Sequence, residues 1–272
     1  MARRKRRSRG GGSAGLIIAT VCLAVLSLGI VGAYGWLRYK ASGNVAVDQA
    51  SLCPIDGPKA ETAILLDVTD PIADTTALDL RNQFQKIVAD VPIGGAIDIY
   101  ALTEQEGELI QTFHGCNPGS GANVDEWTSN PRLAQARWEK GFQKPLADIA
   151  GKLTAGEAGR LSPIMAAIQK INLEVFANAP AGLPKRLYIA SDMIEHTAAF
   201  SNYKDGVSYQ KYQNSPANDR FRTSLSGVTV KILAFQRPNM KFTMEDLANF
   251  WAQWIKNNKG DFGGFVRLEG IR

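Results

Sequence analysis

The chain has 272 residues, 45% of them hydrophobic and 21% charged, enough to build one sizeable core and too apolar for wholesale disorder. Its formal charge of +5 belongs to the amino terminus: eight of the 31 Lys and Arg lie in the first 40 residues, leaving 23 against 26 Asp and Glu beyond them. The bulk of the chain is therefore slightly acidic, which argues against nucleic acid as its partner.

Residues 1–15 are a basic tail carrying Arg3, Arg4, Lys5, Arg6, Arg7 and Arg9. No side chain from Gly10 to Leu37 is charged, and residues 16–37 supply the roughly 20 apolar positions that a bilayer-spanning helix needs. Tyr34 and Trp36 sit at its far end, where amphipathic rings favour the membrane interface. Six cations before the segment, with Arg38 and Lys40 after it, orient the amino terminus toward the cytoplasm. The expected product is a single-pass inner-membrane protein with its carboxyl-terminal domain periplasmic or extracellular. A cleaved signal peptide is the rival, because Ala33-Tyr34-Gly35 offers small residues at a cleavage site, but the apolar run is long for one. Cys22 lies inside that run and follows Val21, so it does not suit a lipoprotein signal.

Residues 38–60 lack strand or helix periodicity and read as a stalk. They contain Cys53, which with Cys116 makes up the cysteines beyond the membrane segment. In an oxidising compartment such thiols commonly pair; the alternative is two unrelated thiols. From residue 61 to 272 the chain reads as one domain. Thr62 to Asp67 is a strand whose apolar run, Ala63-Ile64-Leu65-Leu66, shows no polar alternation, as in the centre of a parallel sheet buried on both faces. It ends in Asp67, Thr69 and Asp70 before Pro71, a gathering of hard oxygen ligands at a strand's carboxyl end.

Thr75 to Val91 has helical spacing, with Leu78, Leu80, Phe84, Ile87 and Val88 as its apolar positions. Ala96 to Thr103 and Glu108 to Phe113 read as an antiparallel hairpin. His114 to Asn130 is a turn-rich insertion, and Pro131 to Lys152 returns to helix with Leu133, Ala136, Trp138, Phe142, Leu146 and Ile149 inward. Ser162 and Pro163 suit the cap and first position of a helix running to Phe176. Lys185 to Asp192 repeats the first strand's pattern, an apolar run closed by a hydroxyl and a carboxylate. Residues 193–226 form a long polar insertion in which Tyr203, Tyr209 and Tyr212 are candidate partner contacts. Val228 to Phe235 is a strand, Thr243 caps a helix from Met244 to Asn257, and Phe265 to Leu268 adds a last strand.

Strands alternating with helices predict an α/β fold: a Rossmann-like sheet, mostly parallel with one antiparallel edge strand, and helices on both faces. If strand order reverses between the strands ending in Asp67 and Asp192, those two carboxylates flank one crevice.

This order resembles the von Willebrand factor A domain, whose metal-ion-dependent adhesion site has an Asp-x-Ser-x-Ser motif after the first strand, a Thr before a later helix and an Asp after the fourth strand. Asp67 matches the leading Asp, Thr69 the first hydroxyl, Ser162 the Thr, and Asp192 the last Asp. Pro71 replaces the second hydroxyl, so one direct ligand is missing, and Asp70 is a possible substitute. The resemblance implies a Mg²⁺ ion on Asp67, Thr69, Ser162 and Asp192, with an open position for a partner's carboxylate. The expected function is thus binding of another envelope or membrane protein, not catalysis. The alternatives are a structural subunit of a membrane complex with a non-functional metal site, and a metal-dependent hydrolase. No Gly-x-Ser-x-Gly, phosphate-binding Gly loop or His-Glu-x-x-His occurs, and Thr69 stands where a dehalogenase-like phosphotransferase needs a second carboxylate.

Overall fold

The computed structural model describes residues 12–41, 46–67, 71–124, 129–152, 159–238 and 240–271. Thr69 and Asp70 lie outside the described residues. Six strands form one sheet in the order β3-β2-β1-β4-β5-β6, where β1 is Glu61–Leu66, β2 Ala96–Leu102, β3 Leu109–Cys116, β4 Lys185–Ser191, β5 Val228–Gln236 and β6 Asp261–Ile271. Only the β2–β3 pairing is antiparallel; the other four are parallel.

Because side chains alternate along a strand, the unbroken apolar runs supply two cores. Ala63, Leu65, Leu187, Ile189, Val230 and Ile232 face one side, under α5 (Ile164–Ile171) and α9 (Met244–Asn257). Ile64, Leu66, Ile97, Ile99, Leu233 and Phe235 face the other, under Leu80, Phe84 and Ile87 of α2 (Asp74–Ala89) and Leu146 of α4 (Lys144–Lys152). In α9 the side chains of Leu247, Phe250, Trp251, Trp254 and Ile255 recur at helical spacing and are all buried. Thr243 is its N-cap, as the sequence predicts, and forms a capping box with Asp246.

Two helices differ from their expected form. The stretch expected as one helix from Pro131 is α3 (Pro131–Trp138), a π-helical turn over Glu139–Gln143, and α4; Leu133 is exposed while Phe142 is buried, because the extra residue per turn rotates the inner face. Likewise α5 passes into a π-helical turn at Asn172–Phe176.

The region 193–226, expected as a polar insertion, is packed onto the domain. It carries the short helices α6 (Asn202–Asp205), α7 (Tyr209–Gln213) and α8 (Ala217–Arg220) and is pinned down by Phe200, Tyr209, Tyr212 and Phe221, all buried. Tyr212 accepts a hydrogen bond from Trp254 Nε1 at 2.9 Å, and Tyr209 and Tyr212 pack against Phe250. Their expected role as partner contacts is therefore corrected to core packing. Tyr203 alone of the three tyrosines is exposed.

At the amino terminus, α1 (Gly12–Ala41) includes a 25-residue stretch, Gly15–Tyr39, that is long and apolar enough to cross a membrane and has none of its surface buried in the protein. The Thr20 and Ser27 hydroxyls bond within the helix, Thr20 to the Leu16 carbonyl at 2.6 Å and Ser27 to that of Leu23 at 2.8 Å. Near its carboxyl end Arg38 Nε donates to Tyr34 Oη at 2.9 Å.

The stalk expected over 38–60 is, from residue 46, part of the domain. Asp48 caps a turn by accepting from the Ser51 amide at 2.8 Å, and the Ser51 carbonyl accepts from the Cys116 amide at 2.8 Å. Leu52 lies against Gly141 so closely that a Cβ there would fall 2.5 Å from Leu52 Cδ1. A disulfide joins Cys53 to Cys116 across 63 residues of chain. Cys116 pairs with Ala96, the first residue of β2, so the bridge sits at the amino edge of the parallel sheet. Closing a loop of this length is worth about 2 to 4 kcal/mol. Replacing both cysteines by serine should lower the unfolding free energy by that amount, measured by denaturant titration of the full chain in detergent. Equal stability with and without reductant would mean the bridge contributes nothing.

The start of α5 also departs from expectation. Ser162 is not its N-cap: the amide and carbonyl of Ser162 pair with those of His196 at 3.0 Å, and Pro163 precedes the helix with ψ at 64°. The cap is Glu195, whose Oε2 accepts from the Met165 amide at 2.8 Å. Burial pushes the Glu195 carboxyl up to about 8, against the pull of that amide. Such a group is protonated in the folded state while already ionised in the unfolded chain. Its contribution is complete below the ordinary value of 4.5 and is lost as pH rises toward about 8. Stability should fall across that window, and Glu195→Gln, which keeps an oxygen for Met165, should flatten the fall. Denaturant unfolding at several pH values checks this; identical pH slopes for both proteins would reject it.

Candidate functional site

Strand order reverses between β1 and β4: β1 leads outward to β2, and β4 leads the other way to β5. The carboxyl ends of β1 and β4 are thus adjacent, with Leu66 paired to Ala190, and Asp67 and Asp192 leave the sheet side by side. Both are nearly buried, Asp67 at 7% and Asp192 at 5% exposure. Each needs partners.

Asp67 Oδ2 accepts from Ser191 Oγ at 2.7 Å and from Ser162 Oγ at 3.3 Å. Ser191 in turn accepts from the Met193 amide at 2.8 Å, which leaves its proton for Asp67. Asp192 Oδ1 accepts from the Ile194 amide at 3.0 Å, closing a turn on itself. Its Oδ2 accepts from Arg237 Nε at 2.9 Å, and Arg237 Nη1 donates to the Pro71 carbonyl at 2.8 Å. Burial and then the neighbouring Asp67 push the Asp192 carboxyl up to about 6, while Arg237 and the Ile194 amide pull it down. Next along, Met193 adopts φ of 61° with its side chain wholly buried and its carbonyl accepting from Trp251 Nε1 at 2.8 Å.

Of the residues predicted as metal ligands, Asp67, Ser162 and Asp192 come together at this rim. Ser191 and Arg237 join them without having been singled out. Ser191 had a visible signal, as the hydroxyl closing an apolar run beside Asp192.

Among the described residues, Asp67, Ser162 and Asp192 do not fit a magnesium ion in the way the resemblance implies. Mg²⁺ demands near-octahedral oxygen ligation at about 2.0–2.1 Å. Here both Asp192 oxygens accept hydrogen bonds, Asp67 Oδ2 receives two hydroxyls, and Pro71 offers no side-chain oxygen. A guanidinium already stands on Asp192, and a divalent cation brought to it would be repelled. Among the described residues, no group of three or more His, Cys, Asp and Glu is arranged to hold a metal.

Beside the rim, Ile194, Tyr203, Arg237, Pro238, Met240, Lys241 and Phe242 line a groove of about 310 Å³. Tyr203 is 54% exposed there and packs edge-on against His196, whose Nδ1 lies 2.9 Å from Ser201 Oγ.

His114 is on β3 and not in a loop, because that strand runs three residues beyond its expected end. Its Nδ1 lies 2.8 Å from Asp98 Oδ1, which also accepts from Gln111 Nε2 at 2.9 Å. The bond to Asp98 raises the His114 pKa, while burial and then Asp98 push Glu61 up to about 7. These groups line a second cleft, of about 450 Å³, with Tyr100 and Glu174.

No family model matches this sequence, and no curated protein does. Among solved structures, the chain is similar to the conserved hypothetical protein BatB from Bacteroides thetaiotaomicron, with 12% identity and a TM-score of 0.36 over 78% of this chain and 91% of that one. It is also similar to a von Willebrand factor type A protein from Catenulispora acidiphila, with 12% identity and a TM-score of 0.40 over 79% of this chain, though it spans only 39% of that one.

Proposed function

We propose that this chain is a membrane-anchored interaction module of the von Willebrand factor A type, held in the periplasm or outside the cell, where it captures another envelope protein. The observation that carries the reading is the polarity of the sheet. The disulfide and the docked segment from residue 46, which continues back toward α1, lie at its amino edge. The Asp67–Asp192 rim and the Tyr203 groove lie at its carboxyl edge. A domain tethered by one edge presents the other to partners, and open α/β sheets keep their sites at the carboxyl edge. An exposed tyrosine with Met240 and Phe242 beside it suits a protein contact, since aromatic residues and methionine are enriched at interfaces.

Binding is favoured over hydrolysis because, among the described residues, the rim side chains engage their neighbours, and the nearby hydroxyl that faces a basic nitrogen, Ser201 Oγ against His196 Nδ1, is buried. If the partner is permanent, the same rim makes the chain a structural subunit of a membrane complex. The buried packing of Tyr209 and Tyr212 leaves a small set of exposed contacts, which suits a transient partner better than a permanent one.

Photoreactive residues placed at Tyr203 and Lys241 of the full-length chain, in intact membranes, should crosslink to a discrete protein identifiable by mass spectrometry. The same probe at Ile110, exposed on β3, should not. Tyr203→Ala should cut the yield about tenfold, as loss of an interface anchor does. Crosslinks from Ile110 alone would refute the assignment of the carboxyl edge.

A further inference from the structure

Two carboxylates close to one another above an apolar core need a positive charge or a metal if both are to stay ionised. Here a positive charge is built into the chain. Arg237 is the first residue beyond β5, the strand next to β4, so its backbone is carried to the same edge as Asp192. Its side chain is 17% exposed and that of Asp192 is 6%, which makes this a largely desolvated pair. The guanidinium fork bonds Asp192 through Nε and the Pro71 carbonyl through Nη1. Pro71 is the position at which the family resemblance requires a second hydroxyl ligand. The segment after β1 is thus tied to the end of β4 by its backbone oxygen and an arginine, in the place where a side-chain oxygen and a cation would have joined them. A guanidinium stays protonated at every relevant pH and holds its acceptors in fixed directions.

We propose that Arg237 is a covalently attached substitute for the metal ion, which makes the carboxyl edge of this protein a metal-independent rim. The proposal deepens the interaction reading and rests on it only for the claim that this edge meets the partner.

The test uses the full-length chain in detergent micelles. Calorimetric titration of the wild-type protein with MgCl₂ and with MnCl₂ should give no saturable heat, and the unfolding temperature should be the same in EDTA and in either ion. Arg237→Ala, which leaves Asp192 buried without its counter-charge, should lower that temperature by roughly 10 °C. The double variant Asp192→Asn with Arg237→Met, which removes both charges, should lose less than Arg237→Ala does. A one-site Mn²⁺ isotherm in the wild type that Asp67→Ala abolishes would overturn the proposal, and so would an Arg237→Ala protein with an unchanged unfolding temperature. Should Arg237→Ala fail to fold, the wild-type titration and the double variant decide. Crosslinking from Tyr203 with and without EDTA separates the two readings. Crosslinks lost only in EDTA contradict the role of Arg237, whereas none under either condition refutes the interaction reading and leaves the titration to judge the arginine.

Discussion

Parallel pairing of β1 with β4 governs the functional end of this molecule. It sets Asp67 and Asp192 beside one another in a nearly buried position, and two like charges so placed repel across a medium that screens them poorly. The features nearby answer that constraint. Ser162 and Ser191 give their protons to Asp67, the Ile194 amide and Arg237 are committed to Asp192, and Asp67 still contributes to the raised pKa of its neighbour. Arg237 does more than neutralise, because its second bond reaches the Pro71 carbonyl and so fixes where the chain goes after β1.

The opposite edge solves a different problem. If α1 anchors the chain as proposed, the domain needs a defined exit, and a long unstructured stalk would let it tumble. Here the segment from residue 46 is folded back onto the sheet through Asp48, Leu52 and the Cys53–Cys116 bridge. The sheet thus receives its incoming chain at the amino edge, opposite the Asp67–Asp192 rim.

Much of this was legible in the sequence, for identifiable reasons. Unbroken runs such as Ala63-Ile64-Leu65-Leu66 announce a strand buried on both faces, and the abrupt acids at Asp67 and Asp192 mark where two such strands end. What escaped depends on contacts distant in the chain. Arg237 lies 45 residues from Asp192 and in sequence is one arginine in a Gln-Arg-Pro turn. Glu195 sits in a polar stretch, and its capping role exists only because that loop crosses the start of α5, 30 residues back. Tyr209 and Tyr212 were misread because a polar composition outweighed their own spacing: three apart, they share one face of α7, and that face is turned inward. The two π-helical turns had no signature that helical spacing could reveal.

Stability alone does not account for residues 191–195. A buried ion pair is seldom worth more than apolar packing of the same volume. A methionine at φ of 61° costs backbone energy that glycine would not. Glu195 is wholly buried, its carboxyl displaced far from its ordinary range, with Oε1 lacking a hydrogen-bond partner. Each feature is a liability by itself, and they fall within four residues of the end of β4. They are held by rigid surroundings: the Trp251 bond to the Met193 carbonyl, the Asn202 side chain on the Glu195 amide and the Ser162–His196 bridge. A core shaped only for stability would have replaced them with aliphatic residues and a glycine. Their concentration at the rim, backed by so much fixed structure, is the arrangement expected where the geometry of a surface matters more than the free energy of the fold.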